Sequence, residues 1–240
     1  MNIIYKILEN RKERLIARIF SLLFVVYGVH GIAFAGNGRP IEVISGVNER
    51  NYIEDAYRDA SINYPGIIDK APTQCEFILY KGFSADLDGD GNIELIVSGS
   101  LNQKLTYVMV YYLEEGKWTC NIVNSCAGGS VFDVKVIDVD NDGNEEIYSV
   151  LLDEDLRRFC RIEKLVDHKF TSLFSLDTRG GLLFSCNISL MRADEKQKYR
   201  VRIDEVEYPE KEDGDVRQRT YFYKLEQNIF VLENVYSGRQ

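Results

Sequence analysis

The sequence predicts a mainly β fold of blade-like antiparallel repeats, preceded by one short helix. Three observations predict it. Short β-branched and aromatic runs bounded by Gly, Asn and Asp recur from residue 76 of the 240-residue chain onward. Two Asp-rich loops, starting at Asp86 and Asp138, lie 52 residues apart in matching strand surroundings. A fixed period of that size marks repeat architectures, propeller blades among them. The composition, 45% hydrophobic and 12% aromatic, can fill a packed core and excludes a disordered chain. A small or irregular propeller-like arrangement follows.

The elements follow in order. Residues 1–18 are polar and basic (Lys6, Arg11, Lys12, Arg14, Arg18). The apolar run Ile19 to Ala35 closes on Ala33-Phe34-Ala35, before Gly36-Asn37-Gly38. Basic flank, short apolar centre and small-x-small site make residues 1–35 a secretory signal. The run is short for a membrane span, which needs about 20 residues. An uncleaved anchor or a buried core helix is the alternative. Export to the periplasm, the cell surface or the medium is expected, with no stable membrane insertion once the signal is cleaved. A lead-in segment, 36–75, holds an amphipathic stretch, Asn51 to Tyr57, expected to form one short helix, and a turn at Pro65-Gly66.

The β-repeat domain, 76–240, begins with Glu76–Tyr80, Ile93–Val97 and Thr106–Tyr112, with Glu115-Gly116 as a hairpin turn before Trp118. The same order recurs in Val134–Ile137, Ile147–Leu152 and Phe159–Glu163, with a turn at Asp167-His168-Lys169. A third pass is expected from Tyr199–Ile203, Thr220–Leu225 and Ile229–Leu232, its acidic segment being Glu205 to Asp215. Gly128-Gly129 and Gly180-Gly181 read as turns.

Net charge is −9, yet the first 35 residues carry five basic and two acidic groups, so the remaining chain holds −12. A surface this acidic repels nucleic acid and anionic membranes and attracts cations, which excludes nucleic-acid binding. Five cysteines (Cys75, Cys120, Cys126, Cys160, Cys186) follow the signal, an odd number. Export would allow disulfides, and burial as small apolar residues is the other reading. Their spacing does not match a zinc site.

The chemistry lies in the two loops. The first runs Asp86-Leu87-Asp88-Gly89-Asp90-Gly91-Asn92-Ile93-Glu94, the second Asp138-Val139-Asp140-Asn141-Asp142-Gly143-Asn144-Glu145-Glu146. Both place carboxylates at positions 1, 3, 5 and 9 and glycine at 6. Four carboxylates in nine residues repel one another unless a cation sits among them. An all-oxygen donor set on a flexible loop suits Ca²⁺, with Mg²⁺ second because it demands a stricter octahedron. Asn92 and Asn144, at position 7, would offer backbone carbonyls. A helix-loop-helix calcium site needs a bidentate Glu at position 12, where Val97 and Ser149 stand, and its flanks would be helical.

In Phe83 to Leu95 and Val136 to Ile147 the chain resembles the FG-GAP/VCBS repeat family, known from integrin α-subunit propellers. The Phe-Gly and Gly-Ala-Pro landmarks of that family are absent. The resemblance implies a calcium loop between two strands of a blade and a non-enzymatic binding or adhesive role. The implied ligands are Asp86, Asp88, Asp90 and Glu94 in one loop and Asp138, Asp140, Asp142 and Glu146 in the other, giving two Ca²⁺ sites. It also implies a protein or glycan partner.

A nucleophilic triad needs a base. The one histidine after the signal, His168, reads as a solvated turn residue. Trp118 reads as core packing, and Arg157-Arg158 and Arg217-Gln218-Arg219 as solvated faces. Two alternatives stand beside the binding module: a small periplasmic inhibitor or immunity-type protein with structural calcium, and a carbohydrate-active enzyme with carboxylates outside the loops.

Overall fold

The computed structural model describes residue 47 and residues 49–192, 199–209 and 215–239. The expected signal, 1–35, and the start of the lead-in lie outside the described residues. Among the described residues the elements are helix α1 (Glu49–Asn63), a 3-10 turn (Pro72–Gln74) and twelve strands: β1 (Phe77–Ala85), β2 (Glu94–Leu101), β3 (Leu105–Glu114), β4 (Lys117–Ala127), β5 (Ser130–Ile137), β6 (Glu146–Leu152), β7 (Arg158–Val166), β8 (Lys169–Asp177), β9 (Phe184–Arg192), β10 (Tyr199–Glu207), β11 (Arg217–Glu226) and β12 (Ile229–Arg239). They form three separate four-stranded antiparallel sheets, β1–β4, β5–β8 and β9–β12, each a simple meander. The fold is therefore mainly β with blade-like repeats, three of them, and the sheets do not close into a barrel.

α1 runs longer than the expected Asn51–Tyr57. It ends because Tyr64, before Pro65, is disfavoured in the helical region, and Gly66 takes the left-handed turn (φ 86°). Its small buried residues Ala56 and Ala60 let it lie close on the first sheet, with Tyr52, against Leu95, Val97, Leu101, Tyr107, Met109 and Tyr111. The opposite face of that sheet, Ile96, Val108 and Val110, packs on Val134, Val136, Ile147, Leu151 and Leu165 of the second. The second sheet's other face, Tyr148, Val150, Cys160 and Ile162, packs on Cys186, Ile188, Val201 and Ile203 of the third. Successive residues of β2, β3 and β6 thus serve opposite interfaces. That is why these strands read as continuous apolar runs rather than alternations.

Each interface also has a buried polar tie. Tyr107 donates from its hydroxyl to the Ala56 carbonyl at 3.1 Å, and Tyr148 to the Ile188 carbonyl at 3.3 Å. The Asn124 amide donates to Ser149 Oγ and the Phe159 carbonyl, both at 3.0 Å. The third sheet's remaining face is mixed: Arg202 and Thr220 meet Asp204 and Arg200 meets Glu233, beside Met191 and the Phe222–Tyr236 ring pair.

The repeat extends to the turns. The third and fourth strands of every sheet join through two left-handed residues: Glu115-Gly116, Asp167-His168 and Gln227-Asn228. This geometry matches the strand twist in two-residue hairpins. Gly128-Gly129 and Gly180-Gly181 are indeed turns, and both link one sheet to the next. At Gly129 (φ 72°) a Cβ would lie 1.6 Å from the Leu152 carbonyl oxygen, so only glycine fits.

Three readings need correction. The third repeat begins one strand earlier than expected, at β9, whose alternating Phe184, Cys186, Ile188 and Leu190 line the interface with the second sheet. The acidic segment Glu205 to Asp215 therefore starts inside β10, at its β11-paired end, and does not lie between the first two strands of its sheet; residues 193–198, between β9 and β10, lie outside the described residues. Arg158 is not a solvated arginine: its guanidinium lies 5.0 Å from the Phe132 ring, its Nε is buried without a hydrogen bond, and burial lowers its pKa. Trp118 packs against the α1 side of the first sheet, as expected. All five cysteines are free thiols, Cys120 half-buried and the others buried. Burial pushes Cys120, Cys126 and Cys186 up to about 12, so they behave as apolar side chains.

Gly129→Ala is expected to cost roughly 1–3 kcal/mol from backbone conformation alone, with the Leu152 clash adding to it. Urea denaturation of the variant against the parent measures this, and an unchanged midpoint would contradict the close approach.

Candidate metal centre

The two loops join β1 to β2 and β5 to β6, so both are strand-flanked and both sit at the same place in their sheets. Most of their internal hydrogen bonds match position for position. The position 2 N–H donates to the position 9 carboxylate (Leu87 to Glu94 at 2.7 Å, Val139 to Glu146 at 2.8 Å). The position 6 glycine N–H donates to the first aspartate, at 3.0 Å in each loop. The position 7 asparagine N–H donates to the third aspartate, at 2.7 and 3.0 Å. Position 4, Gly89 or Asn141, and position 6, Gly91 or Gly143, take positive φ. This curls the loop so that side chains of positions 1, 3 and 9 converge.

The position 2 side chain anchors each loop. Leu87 is buried between the first and second sheets and Val139 between the second and third. One apolar residue per loop thus fills the interface to the following sheet, and holds the carboxylates at its rim.

Ligand oxygens of Asp86, Asp88 and Glu94 all lie within 4.8 Å of one another, as do those of Asp138, Asp140 and Glu146. Two full negative charges at that distance repel by roughly 3–4 kcal/mol at an effective dielectric of about 20. That is a sizeable part of a domain's total stability. Glu94 is 1% exposed. Burial, then the neighbouring Asp88, Asp90 and Asp86, push its carboxyl up to about 7, although the Leu87 N–H opposes this. The sign is destabilising: the raised folded pKa means stability is lost as pH rises from the ordinary carboxylate range through about 7, by roughly 3 kcal/mol in all. A cation beside Glu94 would remove that cost. Asp86 Oδ1 is also buried without a hydrogen-bond partner. An all-oxygen, multiply charged cluster with such an orphaned acceptor fits a hard divalent cation.

The remaining expected ligands are placed differently. Asp90 groups with Asp88 and His168, and the Asn92 amide donates to Asp90 Oδ2 at 2.9 Å. In the second loop Asp140, Asp142 and Glu146 all face Lys164. Asn144 turns toward the first loop, where its Oδ1 would lie 2.7 Å from a Cβ on Gly89, so the two loops abut.

His168 corrects the reading of a solvated turn residue. It does sit in the β7–β8 turn, but its ring stacks on Tyr112 of the first sheet (5.6 Å between centroids) and its Nδ1 is buried, 3.7 Å from Asp88 Oδ2. Sequence offered no signal for this, because the contact joins one repeat's turn to another repeat's loop.

Residues 86–149 match the family model described as the FG-GAP-like repeat. The chain carries an FG-GAP-like repeat. No curated protein matches the sequence. The FG-GAP-like stretch begins at the first loop and ends midway along β6, so it covers one full period and the second acidic loop. The chain is thus a β-repeat protein, and the acidic loops lie in the first two of its three described sheets.

Leu87→Ala is expected to destabilise the protein by about 2–5 kcal/mol, since Leu87 is fully buried in the interface. Denaturant titration measures it, and a cost below 1 kcal/mol would mean that the loop is not anchored through this side chain.

Proposed function

We propose that this protein is an exported, non-enzymatic binding module, stapled by calcium and acting on a protein or glycan partner. The observation that carries the calcium reading is the first loop, where Asp86, Asp88 and Glu94 converge around a buried oxygen with no partner. The FG-GAP-like match over the same residues supports it. Asp86, Asp88, Asp90 and Glu94 would hold the ion, with the Asn92 carbonyl, and the ion would supply charge neutralisation and loop rigidity. The second loop presents the equivalent donors Asp138, Asp140, Asp142 and Glu146, with Asn144 at position 7.

The role of such an ion is mechanical. It offsets the repulsion within the loop and sets the β1–β2 connection, and Leu87 transmits that order to the interface with the second sheet. A partner would then meet a surface whose loops are already ordered, so less conformational freedom is lost on binding. Export rests on the basic-apolar-small pattern of residues 1–35. The partner rests on the family likeness.

Calorimetric titration of the chelator-stripped protein with CaCl₂ is expected to show saturable uptake that Asp88→Ala removes from the first loop. At calcium a hundredfold above Kd the melting temperature is expected to rise by roughly 5–10 °C. No heat and no thermal shift would sink the calcium reading.

A further inference from the structure

The two loops share a donor set but not a surrounding. Lys164, on β7, is buried, and its ammonium reaches into the second loop, 2.6 Å from Asp140 Oδ2 and 2.5 Å from Asp142 Oδ2. Glu146 Oε1 lies 3.1 Å away as an ion pair, outside hydrogen-bond alignment. Three of the four carboxylates expected on a metal are therefore turned to one ammonium. Burial opposes the lysine charge, but Asp140, Asp142 and Glu146 outweigh it and raise the Lys164 pKa above its ordinary value. Lys164 also lowers the Asp142 pKa, against the opposing effect of burial.

Sheet register identifies the counterpart in the first repeat. Ile147, after Glu146, pairs with Glu163, and Leu95, after Glu94, pairs with Tyr111. The residue next to Tyr111 is Tyr112, which therefore stands where Lys164 stands. Tyr112 is neutral, and its hydroxyl accepts a hydrogen bond from the Asn121 amide. Within its own sheet the first loop has no such cation, and Asp86 Oδ1 is left unpartnered.

We propose that Lys164 replaces the metal in the second loop, so that this loop is a self-neutralised copy of a calcium site and only the first loop takes Ca²⁺. The proposal rests on the calcium reading of the first loop and replaces the two-site expectation from the sequence. An ammonium and a Ca²⁺ ion need the same oxygens of Asp140, Asp142 and Glu146, and two cations would repel across one small cluster. The lysine is tethered to β7, so its local concentration does not depend on free calcium. The β5–β6 connection is thereby ordered at any calcium level, while the β1–β2 connection responds to calcium.

The test is calcium stoichiometry by calorimetry on the whole purified chain, stripped with chelator, as wild type, Lys164→Gln and Asp88→Ala/Lys164→Gln. The expected values are one ion for wild type, two for Lys164→Gln and one for the double variant. The melting temperature of Lys164→Gln should fall below wild type without calcium and recover when calcium is added. Two ions on the wild type, or one on Lys164→Gln, would overturn the proposal while leaving the first-loop reading intact. No uptake by either protein overturns both. Wild-type protein carrying ¹⁵N-lysine gives a check that needs no variant. The Lys164 ammonium signal should persist unshifted at saturating calcium, and its displacement would overturn the proposal.

Discussion

Glu94 and Glu146 are nearly inaccessible to water, and each sits beside three aspartates at the head of a strand. A buried carboxylate must find a proton, a counter-charge or a metal. Much of the surrounding structure answers that need. The position 2 N–H of each loop caps one oxygen of the glutamate, and in doing so pulls Leu87 or Val139 into the next interface. The loop's electrostatics and the packing between sheets are therefore one problem: the same backbone segment that carries the charges carries the apolar anchor.

Each interface combines an apolar cluster with a hydrogen bond made by a buried side chain. Tyr107, Asn124 and Tyr148 each bury a polar atom with a partner across an interface. Such bonds add little net stability but penalise any sliding that would leave the group unpaired. Helix α1 covers one face of the first sheet, and the far face of the third sheet carries the Arg202–Asp204 and Arg200–Glu233 ion pairs beside Met191, Phe222 and Tyr236.

Repetition of the loop hides an asymmetry in what compensates it. The first loop sees His168 from the second sheet's turn, stacked on Tyr112, while the second loop sees Lys164 from its own sheet. The position that is tyrosine in one repeat is lysine in the next. One substitution in a strand next to the loop changes how its charge can be balanced without altering any of the loop's aspartates and glutamates.

The 52-residue period, the first three strands of each of the first two repeats, the hairpin at Glu115-Gly116 and the convergence of carboxylates at positions 1, 3 and 9 are all local. Each follows from turn chemistry, side-chain periodicity or like-charge spacing within a few residues, and so was legible in the sequence. β9 was less so, since its small polar residues Ser185, Asn187 and Ser189 dilute the apolar signal, and this displaced the third repeat by one strand. The stacking order of the sheets, the burial of Arg158, the approach of His168 to Asp88 and the seat of Lys164 among Asp140, Asp142 and Glu146 depend on residues 18 to 80 positions apart in the chain. Sequence determined which segments could hold negative charge. Only tertiary packing decided which positive charge reaches them, because a loop's neighbours across a sheet or an interface are set by register and stacking rather than by proximity along the chain.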